Sequence, residues 1–384
     1  MKILSFQYLD KETNWQIEPV NFNNLTLLVG ASGVGKTRIL RSIRNIKNVA
    51  RGKSLNGISW SISFSIDKDV FLWEGEFENK EKSILFTISD EDGILEKDTD
   101  KPVILYEKVI CNNENIVDRK GTKLIFRGNE SPIPIKAEQS VLALIPDPLI
   151  EKAEKEFRKI FYSDYTNSAE GISRTKLIDE QILIKYKTLQ EIRNSGAELI
   201  AKLFWTYKKD KNTFSQIESD FISVFPQVEK LKIEPLEMLK DAIINFLLKA
   251  APFIQFKEIG VKDWIPVMGM SAGMYRTLIH IIELYLSADG TVILIDEFEN
   301  SLGVNCIDEL TTEMIGATNR IQFIITSHHP YIINNINYKN WKIVTRDGNK
   351  VSTQDANDLN FSKSKHEAFI QLLNLPSYKT GKKQ

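Results

Sequence analysis

Two cysteines occur in 384 residues, Cys111 and Cys306, far apart and without metal-ligand spacing. That excludes a disulfide scaffold and suits a reducing compartment. No apolar run approaches the ~20 residues that a membrane-spanning helix needs. The opening MKILSFQYLD is too short, and too soon broken by polar residues, to read as a signal peptide. A net charge of -1 removes the global basicity that advertises nucleic acid or a membrane surface, although a local patch is still allowed. The four histidines form no metal cluster with the cysteines, and no Ser/His/Asp set is suggested by spacing. There is no internal repeat, no low-complexity tract and no sustained heptad pattern. These absences point to a soluble, cytoplasmic globular chain without a membrane partner, long enough for one elaborated α/β domain or for two or three domains.

One stretch organises the rest. Gly30-Ala31-Ser32-Gly33-Val34-Gly35-Lys36-Thr37 has the spacing G-x-x-x-x-G-K-[ST] of a phosphate-binding loop. LTLLV before it is a short apolar, strand-like run, and Ile39, Leu40, Ile43 and Ile46 after it recur at helical spacing. A loop between strand and helix is what phosphate binding needs, because its backbone N–H groups wrap phosphate oxygens at a helix N-terminus. Glycine permits the positive-φ turns, Lys36 is a mobile cation for the β- and γ-phosphates, and Thr37 offers a hydroxyl to Mg²⁺. Arg38 belongs with the same nucleotide-binding set.

Two strands are expected before the loop, through Ile3–Tyr8 and over 15–20, and a helix after it over about 36–48. From about 58 to 126 the pattern switches to period two: Trp60, Ile62, Phe64 and Ile66 alternate with Ser61, Ser63 and Ser65. Strand candidates follow at 70–77, 83–88, 103–109 and 123–126, an antiparallel β-rich stretch. Residues 147–251 read as mainly helical, through Ile178, Ile182, Tyr186, Leu189 and Ile192, then Leu199, Leu203 and Phe204, then Leu236 to Leu247, with a short strand over 228–233. Two more strands, 253–259 and 264–268, precede Ser271-Ala272-Gly273 and a helix.

Two continuous apolar runs then appear, TVILI and IQFII, as expected at the buried centre of a parallel sheet. The first ends in Asp296-Glu297 and the second in Thr326-Ser327-His328-His329. Carboxylates at the C-terminal edge of a parallel sheet lie where α/β sites form. Asp296 is placed to hold Mg²⁺, and Glu297 to orient and polarise an attacking water. Phosphoryl transfer needs mainly positioning and charge stabilisation, which such groups supply. His328 can donate to the γ-phosphate. Strand alternation turns His329 elsewhere, and His280 and His366 read as structural or surface residues.

This order of signals resembles the ABC-type ATPase heads of the SMC, Rad50 and OLD group, over about residues 1–145 and 250–345. The resemblance implies an α/β P-loop NTPase of ABC type: a two-lobed head with a central, mainly parallel sheet, an antiparallel β-rich lobe and a helical insert. It implies ATP and Mg²⁺ as cofactors, with 30–37 as Walker A, Asp296 and Glu297 as Walker B with its catalytic glutamate, and His328 as the switch histidine. Lys36, Glu297 and His328 then carry catalysis. Ser271 and Gly273 are the signature residues, which in that family reach the nucleotide of a second protomer. Gln139 takes the Q-loop place, a nucleotide and metal contact. MSAGM is a reduced form of the L-S-G-G-Q signature, and Asn300-Ser301-Leu302-Gly303 resembles a D-loop with Gly where others carry Asp.

The same resemblance divides the chain into residues 1–145 and 253–384, the two halves of the head, with 146–252 as the insert. DEFENSLG followed by TSHHPYIINNI resembles prokaryotic OLD-like ATPases, many of which serve phage defence. Only about 40 residues follow the second apolar run and its turn, too few for a Toprim nuclease. The expected activity is therefore ATP hydrolysis by a homo-oligomer that controls a separate nuclease or Toprim-like effector, as in PARIS-type defence. The alternative is an SMC-like ATPase acting directly on DNA, with Lys208, Lys209, Lys211, Arg41, Arg44 and Lys47 as contacts. The near-zero net charge and missing coiled coil argue against it.

Overall fold

LTLLV, VILI and QFIIT are buried at every position, and they lie side by side in one sheet. This is seen in a computed structural model that describes residues 1–81, 101–131, 135–163, 181–235, 252–300 and 302–382. In chain order the strands are β1 (Lys2–Asp10), β2 (Trp15–Asn21), β3 (Leu25–Val29), β4 (Ile58–Ile66), β5 (Asp69–Phe77), β6 (Ile104–Cys111), β7 (Glu114–Lys120), β8 (Lys123–Phe126) and β9 (Asn129–Glu130). They continue as β10 (Ile160–Ser163), β11 (Val228–Pro235), β12 (Pro252–Glu258), β13 (Ile265–Pro266), β14 (Val292–Ile295), β15 (Gln322–Thr326), β16 (Trp341–Asp347) and β17 (Lys350–Asp355). The principal helices are α1 (Lys36–Ala50), α2 (Pro148–Arg158), α3 (Leu199–Lys209), α4 (Lys211–Val224), α5 (Ala272–Leu286), α6 (Val304–Gly316) and α7 (Lys365–Asn374).

The large sheet runs β10-β14-β15-β3-β16-β17-β2-β1-β4-β5-β6-β7-β8-β9. Its first five strands are parallel, β17 turns back along β16, and β1, β2 and β4 to β9 form antiparallel pairs. This is the two-lobed α/β head expected from the sequence. The three central strands β14, β15 and β3 have no exposed face because both faces are covered. Leu25, Leu27, Val29, Ile293, Ile295 and Phe323 point into a core shared with α3 to α6. Leu28, Leu294, Ile324 and Val344 point the other way, where Ile39, Leu40, Ile43 and Ile46 of α1 meet the β-rich lobe. α1 is thus clamped between two sheet surfaces, which fixes the phosphate loop at its N-terminus.

The β-rich lobe shows the alternation that the sequence predicts. Trp60, Ile62, Phe64 and Ile66 face inward and the serines between them do not. Phe64 stacks on Phe71 at 5.1 Å, and Trp73 meets Phe157 of α2 edge-on at 5.2 Å. One ion pair is sealed inside this lobe. Glu107 and Arg119 are both fully buried, 3.5 Å apart. Glu107 also accepts from Ser140 Oγ, the Val141 N–H and Trp73 Nε1. Arg119 donates to the carbonyls of Lys136, Ala137 and Gln139. A buried charge pair is tolerated when its remaining donors and acceptors are satisfied in this way.

Several expectations change. The region read as mainly helical contains β10, a four-residue strand paired parallel with β14; so short a run is hidden among helical neighbours. β7, ENIVDRK, escaped detection because charges interrupt its alternation. The single helix expected through Ile192 is broken, with Gln181–Lys185 separate from Leu189–Asn194. Thr188 starts the second piece by accepting from the Glu191 N–H at 3.2 Å. The strand expected over 264–268 shortens to β13, followed by a 3₁₀ turn, Val267–Gly269. The strand expected at 83–88, the start of the insert helix at Ile178 and the helix from Leu236 lie outside the described residues.

Candidate functional site

The parallel strands β14, β15 and β3 end at one edge of the sheet, and the loops leaving them meet there. β3 runs into the phosphate loop, which enters α1 through Gly35 in the left-handed region at φ 106°. No side chain caps α1, so its first N–H groups face the cleft. The loop leaves no room for side chains at two points. A Cβ at Gly30 would lie 2.5 Å from the Val344 carbonyl oxygen, and one at Gly35 2.8 Å from the Val351 side chain. Glycine is required there for φ and for close approach.

Around this loop lies a cleft of ≈ 520 Å³. Ser32, Gly33, Gly35, Lys36, Thr37 and Arg38 line it from the loop side, and Asp296, Glu297 and His328 from the strand ends. Three stretches that are remote in sequence, 32–38, 296–297 and 328, are therefore brought together. Lys36 is 5% exposed, and its Nζ donates to the carbonyls of Gly30 and Ala31 at 2.8 and 2.9 Å. Desolvation lowers its pKa to about 8, against the opposing pull of Asp296, Glu299 and Glu297. Val34 is buried and packs the loop onto the core.

Thr37 Oγ1 donates to Asp296 Oδ1 at 3.0 Å. The same oxygen accepts from Thr326 Oγ1 at 2.7 Å, and Tyr162 Oη donates to Oδ2 at 3.4 Å. Glu297 has φ 49°, a left-handed backbone for a residue with a Cβ, which costs about 1–3 kcal/mol. Its N–H donates to Thr326 Oγ1 at 2.8 Å, which holds that conformation. His328 lines the cleft, and its backbone N–H donates to Glu299 Oε1 at 2.7 Å. Desolvation and then the nearby Lys36 cation hold its imidazole pKa below the ordinary histidine value. His329 turns away and caps the next short helix, accepting from the Tyr331 N–H. His280 is buried in α5 and His366 is exposed on α7.

Three predicted site residues lie outside both the phosphate loop and this cleft. Ser271 caps α5, accepting from the Met274 N–H at 3.2 Å, and is exposed; Gly273 follows in the first turn. Neither lines the cleft of its own chain. Gln139 is a correction. Its carbonyl is held by Arg119 at 2.6 Å, and its side-chain amide lies beside Gly52, past the C-terminal end of α1. The phosphate loop is at the other end of that helix, about 22 Å away at 1.5 Å per residue. The buried Glu107–Arg119 pair ties this segment to the β-rich lobe, so that Gln139 lies away from the phosphate loop and from Asp296.

Of the three α1 residues offered as nucleic-acid contacts, Arg44 and Lys47 make internal contacts and Arg41 is exposed. Arg41 lines the cleft, Arg44 lies over the Tyr162 ring at 4.9 Å, and Lys47 Nζ donates to the Ile160 carbonyl at 2.5 Å. Lys208 and Lys211 sit over the Tyr207 ring at 5.1 and 4.3 Å.

Sequence reasoning missed several cleft residues. Trp15 carries the guanidinium of Arg38 at 4.0 Å and that of Arg346 at 4.4 Å, and Arg346 donates to the Gly33 carbonyl at 3.4 Å. Tyr8 and Asn45, joined at 3.3 Å, line the end toward the β-rich lobe. Thr326 was visible, as the last residue of an apolar strand next to two histidines. Tyr162 and Arg346 had no such signal.

Among the described residues, no group of three or more His, Cys, Asp or Glu side chains is placed to hold a metal. No helix among them is long and apolar enough to cross a membrane.

Comparison with known proteins agrees with this geometry. Residues 25–334 match the family described as "AAA domain, putative AbiEii toxin, Type IV TA system". Among solved structures, an SMC head bound to the C-terminal winged-helix domain of ScpA is similar at 14% identity and TM-score 0.50, covering 92% of this chain and 98% of that one. The SMC head domain from Thermotoga maritima matches at 10% identity and TM-score 0.43, covering 92% and 99%. An SMC head with an extended coiled coil from Pyrococcus furiosus, bound to the C-terminal domain of ScpA, matches at 14% and TM-score 0.45, covering 93% and 97%. No curated protein sequence matches the chain.

Proposed function

The chain belongs to this AAA-domain family and is a P-loop ATPase with the fold of an SMC head, and on that premise we propose that it is an ATP-driven switch. ATP fills the cleft, heads pair around it, and the paired state controls a separate effector in cytoplasmic phage defence of the PARIS type. The carrying observation is the meeting of Thr37 and Asp296 at 3.0 Å beside Lys36, across 259 residues of sequence. A hydroxyl and a carboxylate are hard oxygen donors, and Mg²⁺ is commonly held by one or two such groups together with substrate phosphates. Their mutual hydrogen bond fits that donor set. When bound, Mg²⁺ supplies charge stabilisation for the phosphates.

On this reading Lys36 exchanges the loop carbonyls for phosphate oxygens, and the open N-terminus of α1 cradles the same group. Glu297 orients the attacking water and accepts its proton, while His328 donates to the γ-phosphate. Exposed Ser271, with Gly273, contacts nucleotide held by a second copy, so each cleft is half a site. Residues 1–145 and 253–384 act as the two halves of the head, and 146–252 as the insert that reports its state. The partner is expected to be a protein, as ScpA is for the SMC heads, and a nuclease or Toprim-like chain is its class. The alternative, direct action on DNA, would use Lys208, Lys209 and Lys211 with Arg41, Arg44 and Lys47, of which Arg44 and Lys47 already contact the Tyr162 ring and the Ile160 carbonyl.

Steady-state turnover with the Lys36→Ala and Glu297→Gln variants tests the site, and size in solution with and without ATP tests the pairing. Both variants should lose hydrolysis, and only Glu297→Gln should accumulate as an ATP-dependent dimer. A Glu297→Gln protein that hydrolyses ATP at the wild-type rate would remove Glu297 from the mechanism. DNA binding at low salt by the ATP-bound protein would favour the alternative.

A further inference from the structure

Asp296 is held at both oxygens, and one of the holders lies outside every motif. Tyr162 is the third residue of β10, the edge strand of the parallel sheet, in register with Leu294 of β14. Leu294 and Ile324 face α1, and two residues further on each strand Asp296 and Thr326 keep that side. Tyr162 packs against the same core, and its hydroxyl reaches Asp296 Oδ2 at 3.4 Å. Thr37 and Thr326 occupy Oδ1. The Tyr162 ring is itself located by Arg44, whose guanidinium lies 4.9 Å from the ring centroid. Arg44 is seven residues, about two turns, after Thr37 and so shares its face of α1. The path Thr37–Asp296–Tyr162–Arg44 therefore leaves α1 and returns to it.

From this we propose that Tyr162 is a positioning residue of the metal site: by donating to Oδ2 it sets the carboxylate rotation that presents Oδ1 to Thr37. The inference rests on the Mg²⁺–ATP reading of the cleft. A carboxylate held at one oxygen can rotate about its Cβ–Cγ bond. Held at both, it is preorganised for a small cation that tolerates little departure from octahedral geometry. Tyr162 acts from the strand next to Asp296, whereas the Gln139 side chain lies past the far end of α1.

The test uses the full-length chain and the Tyr162→Phe variant, which keeps the ring and its contact with Arg44 and removes only the hydroxyl. A fluorescent ATP analogue is titrated in EDTA and at stepped Mg²⁺ concentrations, with thermal unfolding measured alongside. The expected result is a Mg²⁺ midpoint raised about three- to tenfold, the range for one hydrogen bond, with affinity in EDTA and unfolding temperature as in wild type. An unchanged Mg²⁺ midpoint overturns the inference while leaving the ATPase site intact. Equal weakening with and without Mg²⁺, or weakening that tracks a lowered unfolding temperature, marks a structural role and also overturns it. If the wild type itself gains nothing from Mg²⁺, the reading of the cleft fails and this inference with it.

Discussion

The hydroxyl of Thr326 accepts from the N–H of Glu297 at 2.8 Å while donating to the Asp296 carboxylate at 2.7 Å. One side chain at the end of β15 thus holds the Asp296 carboxylate and the backbone of Glu297 together. Glu297 needs that help because its φ is 49°, a conformation that side chains with a Cβ adopt only at a cost.

Replacing Thr326 by valine keeps the shape and removes both hydrogen bonds. Turnover should fall about ten- to a hundredfold, since bonds to charged groups contribute roughly 1.5–3 kcal/mol. ATP affinity, measured separately, should change by less than about threefold. A variant that binds poorly and turns over normally would contradict the role.

Lys36 makes a two-sided pH prediction. Desolvation places its pKa in the free protein at about 8, below its ordinary value of 10.5. Between those values the unfolded chain binds more protons than the folded one, so stability of the nucleotide-free protein should rise with pH in that window. Nucleotide affinity should fall over the same window, because phosphate prefers the ammonium. Calorimetric titrations and thermal scans at pH 7 to 10 should therefore slope in opposite directions, and Lys36→Met should flatten both.

The sealed pair Glu107–Arg119 predicts a large stability effect far from the cleft. Burial, opposed by its hydrogen bonds, pushes the Glu107 pKa upward, and Arg119→Met would leave four carbonyls without their donor and the carboxyl without its counter-charge. A loss of roughly 3–5 kcal/mol is expected in denaturant unfolding. Adding Glu107→Leu should recover part of it, as both charges are then gone. A double variant less stable than the single one would refute this account.

Gln139→Ala should hydrolyse ATP as the wild type does, within about twofold. Its carbonyl, which the substitution keeps, makes the bond to Arg119, and its side chain lies beyond the far end of α1. A tenfold loss of turnover, with thermal stability unchanged, would return Gln139 to the site.

Much of the head was legible in the chain itself. Residues 30–37 specify their own conformation through glycines and a strand–loop–helix setting, and the runs VILI and QFIIT, rich in β-branched residues, fit buried strands. The acids and the histidine follow those runs directly, so their place at the sheet edge came with the strands. The β-rich lobe was readable where serine and aromatic residues alternate, and unreadable at β7, where charges break the alternation.

Local pattern determined which segments are strands, where the phosphate loop lies and which acids end a buried strand. Only the tertiary structure decided which strand stands next to β14, and hence that Tyr162 and not Gln139 approaches Asp296. The reason is physical. A phosphate loop or an apolar strand is defined by interactions within a few residues, whereas strand order depends on which surfaces pack across hundreds of residues. A lone tyrosine or arginine carries no record of its neighbour in sequence, and Tyr162 and Arg346 became site residues only when the sheet brought them to Asp296 and to the loop.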